Sequence, residues 1–100
     1  MQIAKVVGTV VATKKEGRMD GLKLLLVQPA DVEGVSKGGV ICAIDSVGAG
    51  IDEIVLLASG SSARLTDVTQ NKPVDAVIIA IVDTMDVEGK TRYSKSSSNE

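Results

Sequence analysis

The chain has 100 residues, which is enough for one domain with its own core but not for two. It carries 11 basic and 13 acidic residues, so it lacks the strongly basic surface typical of nucleic-acid-binding proteins. With no histidine and a single cysteine, it has no zinc site built from histidine or paired cysteines, no internal disulfide and no histidine-based acid–base catalysis.

Five aliphatic segments, rich in β-branched residues, have the composition and spacing of β-strands. The predicted strands are residues 3–13, 22–27, 40–47, 54–59 and 74–83. Between the last two, residues 61–65 predict one short helical turn, capped by Gly60 or Ser61. A glycine-containing turn at residues 86–90, followed by a short strand at 91–93, predicts a C-terminal hairpin.

The two ends of the chain differ from its centre in what they predict. The first residues lack the apolar stretch of a signal peptide, and no apolar run approaches the roughly 20 residues that span a bilayer, so we expect a cytoplasmic protein with no membrane partner. The last seven residues contain four serines and no apolar side chain. The sequence therefore predicts one domain at residues 1–93 and a disordered tail at residues 94–100.

Several short strands with a fragment of helix predict an all-β fold, most simply a small five-stranded antiparallel barrel. Barrel closure buries one face of each strand, but most strands carry apolar side chains on the other face too. We therefore expect another subunit to cover the outer face and the protein to be an obligate oligomer. The alternative is that the strands pack against the long loops.

The residues whose types are used in catalysis and ligand binding have structural explanations in this sequence. Cys42 lies in mid-strand without a neighbouring base, which predicts core packing. Gly48 and Gly50 form a G-x-G without the third glycine or the helix of a dinucleotide site. The carboxylates near the turns at residues 45–53 and 83–86 lack calcium-loop spacing, so we expect solvated side chains and no metal. Neither a catalytic residue nor a cofactor is predicted.

Arg64 follows a run of small residues, and two roles remain open for it. Its guanidinium can pair with a carboxylate of a neighbouring subunit or line a channel on a symmetry axis, and the interface pair is favoured. An oligonucleotide-binding role for the barrel is disfavoured, because the chain has one tyrosine as its only aromatic residue and is acidic overall.

Five segments, in order and with fitting separations, resemble the EutN/CcmL family of bacterial microcompartment vertex proteins. They are I-A-K-V-x-G-T-V-V-A-T at residues 3–13, L-K-L-L-L-V at 22–27, D-S-V-G-A-G at 45–50, G-S-S-A-R at 60–64 and P-V-D-A-V-I-I-A-I-V-D at 73–83. The resemblance covers residues 3–93. It implies a barrel of oligonucleotide-binding-like topology and a homopentamer that caps the fivefold vertices of a polyhedral shell in the cytoplasm.

The resemblance also implies partners and candidate contact residues. The partners are further copies of the chain and the hexameric and trimeric shell proteins of the facets, which residues 31–39 or the tail can contact. The candidate residues of the subunit interface or the axial region are Gly48, Ala49, Gly50, Ser61, Ser62 and Arg64. The sequence does not determine which pathway the shell encloses, although a catabolic compartment is weakly preferred.

Two functions of other classes remain open. One is a soluble module that binds a small ligand at the mouth of the barrel, although the aliphatic composition offers few convergent polar groups for a ligand. The other is an enzyme that uses acidic residues and a metal ion.

Overall fold

The computed structural model describes residues 1–96 of the chain, and its strands confirm the predicted all-β fold. They are β1 (Gln2–Val10), β2 (Leu24–Pro29), β3 (Ile41–Asp45), β4 (Ile54–Ser59), β5 (Ala76–Ile81), β6 (Thr84–Val87) and β7 (Lys90–Ser94). The 3-10 turn Gly60–Arg64 stands where one helical turn was predicted, at residues 61–65, and a second 3-10 turn, Gly17–Met19, was not predicted. None of the helical segments in this part of the chain has the length and apolarity needed to cross a bilayer.

The first five strands close into a barrel in the order β1-β2-β3-β5-β4. All neighbouring pairs are antiparallel except β3 and β5, which are parallel and pair only at Ile44 with Val77 and at Asp45 with Ile78. The parallel pair corrects the expectation of a purely antiparallel barrel. Its physical reason is that β4 reverses the chain between β3 and β5, so these two strands run in the same direction.

Side chains that alternate along the strands fill the inside of the barrel, as the period of two requires. Residues of every barrel strand meet there, and the largest of them are fully buried. This inner core consists of Ala4, Val6, Leu25, Val27, Ala43, Ala49, Val55, Leu57, Ala76 and Ile78.

A second apolar cluster lies outside the barrel, on the opposite face of β3 and β5. Ile44 and Val77 project outward there, and Ala63 and Val74 of the connection between β4 and β5 cover them. Part of the outer face is therefore covered by the chain itself. This corrects the expectation that only another subunit covers it, although other outer side chains, such as Val7, remain exposed.

Cys42 is exposed, which corrects the prediction that it packs in the core. The strand register explains the difference. β3 pairs with β5 only from Ile44 onward, so the first half of β3 has β2 as a neighbour on one side and no paired strand within residues 1–96 on the other. Partial desolvation by its neighbours raises the pKa of the Cys42 thiol, and the nearby Asp75 carboxylate raises it further.

The predicted C-terminal hairpin consists of β6 and β7 and forms a sheet of its own. Tyr93 attaches it to the barrel: the residue is 8% exposed, and its ring packs against Gly34 in the connection between β2 and β3, where the backbone φ is +80°. The hairpin includes Ser94, and the N–H of Lys95 donates to the Asp83 carbonyl. Residues 97–100 of the predicted disordered tail lie outside the described residues.

Gly34 provides a test of the tyrosine contact. A Cβ atom at position 34 would lie 2.8 Å from Cδ1 of Tyr93, whereas one at Gly21, which has nearly the same φ of +81°, would meet nothing within 4 Å. Both alanine variants incur the left-handed backbone strain, but only Gly34→Ala also displaces Tyr93. We expect Gly34→Ala to lose about 1–3 kcal/mol more free energy of unfolding than Gly21→Ala, measured by urea denaturation. Equal losses would contradict the contact.

Candidate subunit-interaction site

The first group of candidate residues lies in the loop that connects β3 to β4, and Asp45 holds this loop in shape. Its Oδ1 atom accepts hydrogen bonds from the backbone N–H groups of Val47, Gly48 and Ala49 at 3.1, 3.0 and 3.2 Å. The side chain of Asp45 is only 2% exposed, and its Oδ2 atom lies 3.9 Å from Nζ of Lys23. An aspartate that accepts from the N–H groups that follow it is a turn-forming device.

The two glycines of this loop have different reasons for being glycine. Gly48 has a φ of +79° and is exposed, with open space where a Cβ would be. Gly50 donates its N–H to the Glu53 carboxylate, which also pairs with Lys95. The hydrogen bonds from Lys95 and from the Gly50 N–H lower the pKa of Glu53. The loop is therefore fixed at one end by Asp45 and at the other by Glu53.

Ala49 lies between these glycines but points into the barrel, where it is 1% exposed and belongs to the inner core. A neighbouring subunit cannot reach its side chain without opening the barrel. The exposed residues of the loop are Val47, Gly48, Gly50 and Ile51.

The second group of candidates forms the 3-10 turn Gly60–Arg64. Gly60 has a φ of +65° and donates its N–H to the Asp75 carbonyl, while Ser61 and Ser62 are exposed. Arg64 is also exposed, and its Nη1 atom donates to the Val74 carbonyl at 3.2 Å. One side of this guanidinium is thus used within the chain, and its other N–H groups face outward.

The structure does not bring the two groups of candidates together within one chain. The first loop ends where β4 begins, and the 3-10 turn starts where β4 ends, so the six residues Ile54–Ser59 separate them. They form two separate surfaces. In a ring, two such surfaces can belong to the two sides of one interface, since a head-to-tail contact joins different patches of identical subunits.

Sequence reasoning missed an exposed patch beside the 3-10 turn. Val40 and Ile41 are 55% and 36% exposed and precede Cys42, and Asp75 lies next to this half-strand. The apolar composition of β3 predicts burial, and its exposure follows only from the missing pairing with β5, which the sequence does not show.

The exposed run Lys90-Thr91-Arg92 on β7 could have been identified from the sequence, because lysine and arginine are typical of edge strands.

A polar cleft of about 470 Å³ lies between the barrel and the hairpin. Four of its five charged side chains form two pairs: Lys95 binds Glu53, and Nζ of Lys5 lies 3.9 Å from Oδ1 of Asp52. The fifth, Glu33, makes no ion pair within residues 1–96. In the same residues no three acidic or cysteine side chains come close enough to hold a metal ion. The cleft thus offers mainly neutralised pairs rather than a set of free groups aimed at a ligand.

Comparison with known proteins gives one consistent family. The family model described as "Ethanolamine utilisation protein EutN/carboxysome" matches residues 1–83. The carboxysome shell vertex protein CcmL of Nostoc sp. (strain PCC 7120) is 50% identical over 96 residues, with 95% of each chain covered. The solved structure of this CcmL superimposes with a TM-score of 0.90, at 51% identity over 95% of this chain and 100% of that one.

Two further relatives come from other microcompartments. The shell vertex protein EutN of Salmonella typhimurium is 42% identical over 95 residues, which cover 95% of this chain and 96% of EutN. The solved structure named "GrpN pentameric microcompartment shell protein from Rhodospirillum rubrum" is 39% identical, with a TM-score of 0.79 over 87% of this chain and 99% of GrpN.

The role of Asp45 in shaping the first loop predicts a large effect of its removal. Asp45→Ala removes a buried carboxylate and leaves three backbone N–H groups without their acceptor, so we expect a loss of about 2–4 kcal/mol in the free energy of unfolding. Asp31 is a matched control, because its Oδ1 atom accepts only the N–H groups of Glu33 and Val35 at an exposed site. Asp31→Ala should cost about 1 kcal/mol. Chemical denaturation of both variants measures the difference, and similar losses would refute the assigned role.

Proposed function

The chain belongs to the ethanolamine utilisation protein EutN/carboxysome family, and from this premise we propose how its fold serves a shell. It is a structural shell vertex protein of a bacterial microcompartment and resides in the shell, within the cytoplasm. It associates with further copies of itself and with the shell. The observation that carries this function is the match to vertex proteins over nearly the whole chain, in sequence and in fold.

We infer that the working assembly is a homopentamer. A closed polyhedron of flat facets needs fivefold corners, and a ring of five supplies the curvature there and seals the gap. The pentameric relative GrpN supports the number five. The chain's own contribution is two different exposed surfaces on either end of β4, because a heterologous ring needs two unlike patches that meet around the circle.

We also infer that the protein has no catalytic role. Three charged side chains of the candidate site are engaged structurally: Asp45 shapes a loop, Glu53 pairs with Lys95, and Arg64 donates to a carbonyl of its own chain. In the cleft between the barrel and the hairpin, four of the five charged side chains form two ion pairs, and a second cleft is lined mostly by aliphatic side chains. Gly48, Gly50, Ser61, Ser62 and Arg64 are proposed as interface or axial residues, and Ala49 is withdrawn from that set because it is buried.

The facet proteins are proposed partners as well, and residues 31–39 are the proposed contact. Asp31 orders this loop by accepting two N–H groups, and Val32 and Val35 are exposed on it. Ordered loops with exposed apolar side chains are typical of protein contacts. A protein at a vertex adjoins the facets, so the hexameric and trimeric shell proteins of the facets are the proposed partners of this loop.

We propose that the compartment is of the carboxysome class. Identity to carboxysome CcmL proteins runs from 42 to 50%, against 42% for EutN over the same share of this chain. This preference reverses the weak preference for a catabolic compartment drawn from the sequence alone. Residues at the contacts between vertex and facet must match their partners, so higher overall identity favours the same class of shell.

The oligomeric state is the first test. Native mass spectrometry of the purified chain should give a species of five times the 10.3 kDa chain mass. Arg64→Ala should lower the fraction of this species on dilution, because a surface ion pair contributes up to about 1 kcal/mol per interface and a ring has five. Arg18→Ala is the control, since Arg18 pairs with Glu16 in its own loop.

Two outcomes would contradict this reading. A stable monomer or dimer of the unmodified chain would exclude the pentamer. An Arg64→Ala ring as resistant to dilution as the Arg18→Ala ring would exclude Arg64 from the interface.

The class of compartment is tested by co-assembly. The chain is produced with the facet proteins of a carboxysome shell or with those of an ethanolamine shell, each lacking its own vertex protein, and closed particles are counted by electron microscopy. We expect closure with the carboxysome facets and a reduced yield for Val35→Glu, with Lys14→Glu as the surface control. Closure with the ethanolamine facets alone would overturn the assignment.

A further inference from the structure

The first half of β3 presents an open strand edge. β3 pairs with β5 only at Ile44 and Asp45, and in residues 1–96 the main chain of Val40–Cys42 makes no hydrogen bond outside its ladder with β2. Unpaired N–H and C=O groups on an exposed strand are a template for another strand. The open half-strand also exposes the apolar side chains of Val40 and Ile41.

A carboxylate, that of Asp75, lies beside this edge. Asp75 directly precedes β5, which pairs with β3 from Val77 onward, and its carboxylate is near enough to Cys42 to raise the pKa of the thiol. Asp75 is exposed and makes no ion pair within the described part of the chain. The 3-10 turn Gly60–Arg64 borders the same place, because the Gly60 N–H binds the Asp75 carbonyl.

A second open edge on the same chain has the opposite charge. β7 pairs with β6 on one side, and no strand of residues 1–96 pairs with it on the other. Lys90, Thr91 and Arg92 are exposed along it, and neither cation makes an ion pair within these residues. A two-stranded hairpin gains stability when a further strand is added. The other strand of the hairpin, β6, is a poorer partner for the edge beside Asp75, because β6 carries Asp86 and two carboxylates repel each other.

We propose that β7 of one subunit pairs with the open half of β3 of the next, so that strand addition between the two edges forms the contact that closes the ring. The occupant is a second copy of the chain, which the proposed homopentamer already requires; the inference therefore rests on the proposed function and names its interface. Lys90 and Arg92 then lie near the neighbour's Asp75. Two unlike edges on one chain satisfy the demand of a heterologous ring.

The test uses Cys42, the only cysteine of the chain, as the fixed half of a cross-link. Lys90→Cys, Thr91→Cys and Arg92→Cys are made singly, and each purified protein is oxidised with copper–phenanthroline and run on a denaturing gel without reductant. Because alternate residues of a strand point to opposite faces, cross-linking should alternate along the three positions. A productive position should give a ladder from two to five chains that disappears with reductant and with Cys42→Ser.

Lys14→Cys is the matched control, because Lys14 is an exposed cation in the connection between β1 and β2. A ladder from the β7 positions and none from Lys14→Cys supports the proposal. The proposal is overturned if no β7 position gives a ladder, or if oxidation gives only a disulfide within one chain. It is also overturned if Lys14→Cys gives an equal ladder. Native mass spectrometry of the same samples distinguishes a failure of this interface from a failure of the proposed pentamer. Five copies without a β7 ladder reject the interface but not the pentamer. The absence of five copies rejects both.

Discussion

The parallel contact of β3 with β5 is the constraint on which the rest of the structure depends. Two residue pairs close the barrel there, far fewer than join β1 with β2 or β4 with β5. The closure is reinforced from outside, because Ile44 and Val77, which form one of the two pairs, are the centre of the second apolar cluster. The connection between β4 and β5 supplies Ala63 and Val74 to that cluster. The segment that joins these two strands therefore also covers the contact between β3 and β5 from outside.

The short closure has a consequence for assembly. A longer β3–β5 ladder would use the main chain of Val40–Cys42 within the subunit and bury Cys42. Stopping the ladder at Ile44 leaves a half-strand with exposed apolar side chains beside the Gly60–Arg64 turn. A monomer would keep this edge short or charged to avoid association, whereas a subunit of a permanent ring gains from exposing it.

The loops of the chain are built for fixed shape rather than for chemistry. At one end of the loop between β3 and β4, the Asp45 carboxylate accepts hydrogen bonds from backbone N–H groups. At the other end, the Glu53 carboxylate accepts from the Gly50 N–H and pairs with Lys95. Tyr93, the only aromatic residue, packs on Gly34 and fastens the hairpin to the barrel. A structural shell protein needs rigid surfaces of defined shape, and these polar residues hold the loops in fixed conformations.

The sequence by itself determined the strand content, the five-stranded barrel, the hairpin and the family, because period-two aliphatic runs and their turn residues are local signals. β4 is predicted to the residue, and the turn at Gly60–Arg64 to within one. Tertiary structure alone decided which faces are covered. Cys42 is exposed and Ala49 is buried, although both lie among apolar or small neighbours, because burial depends on where β3 stops pairing and where the Asp45 loop folds over the barrel. Such pairing joins residues distant in sequence, and no local pattern records it.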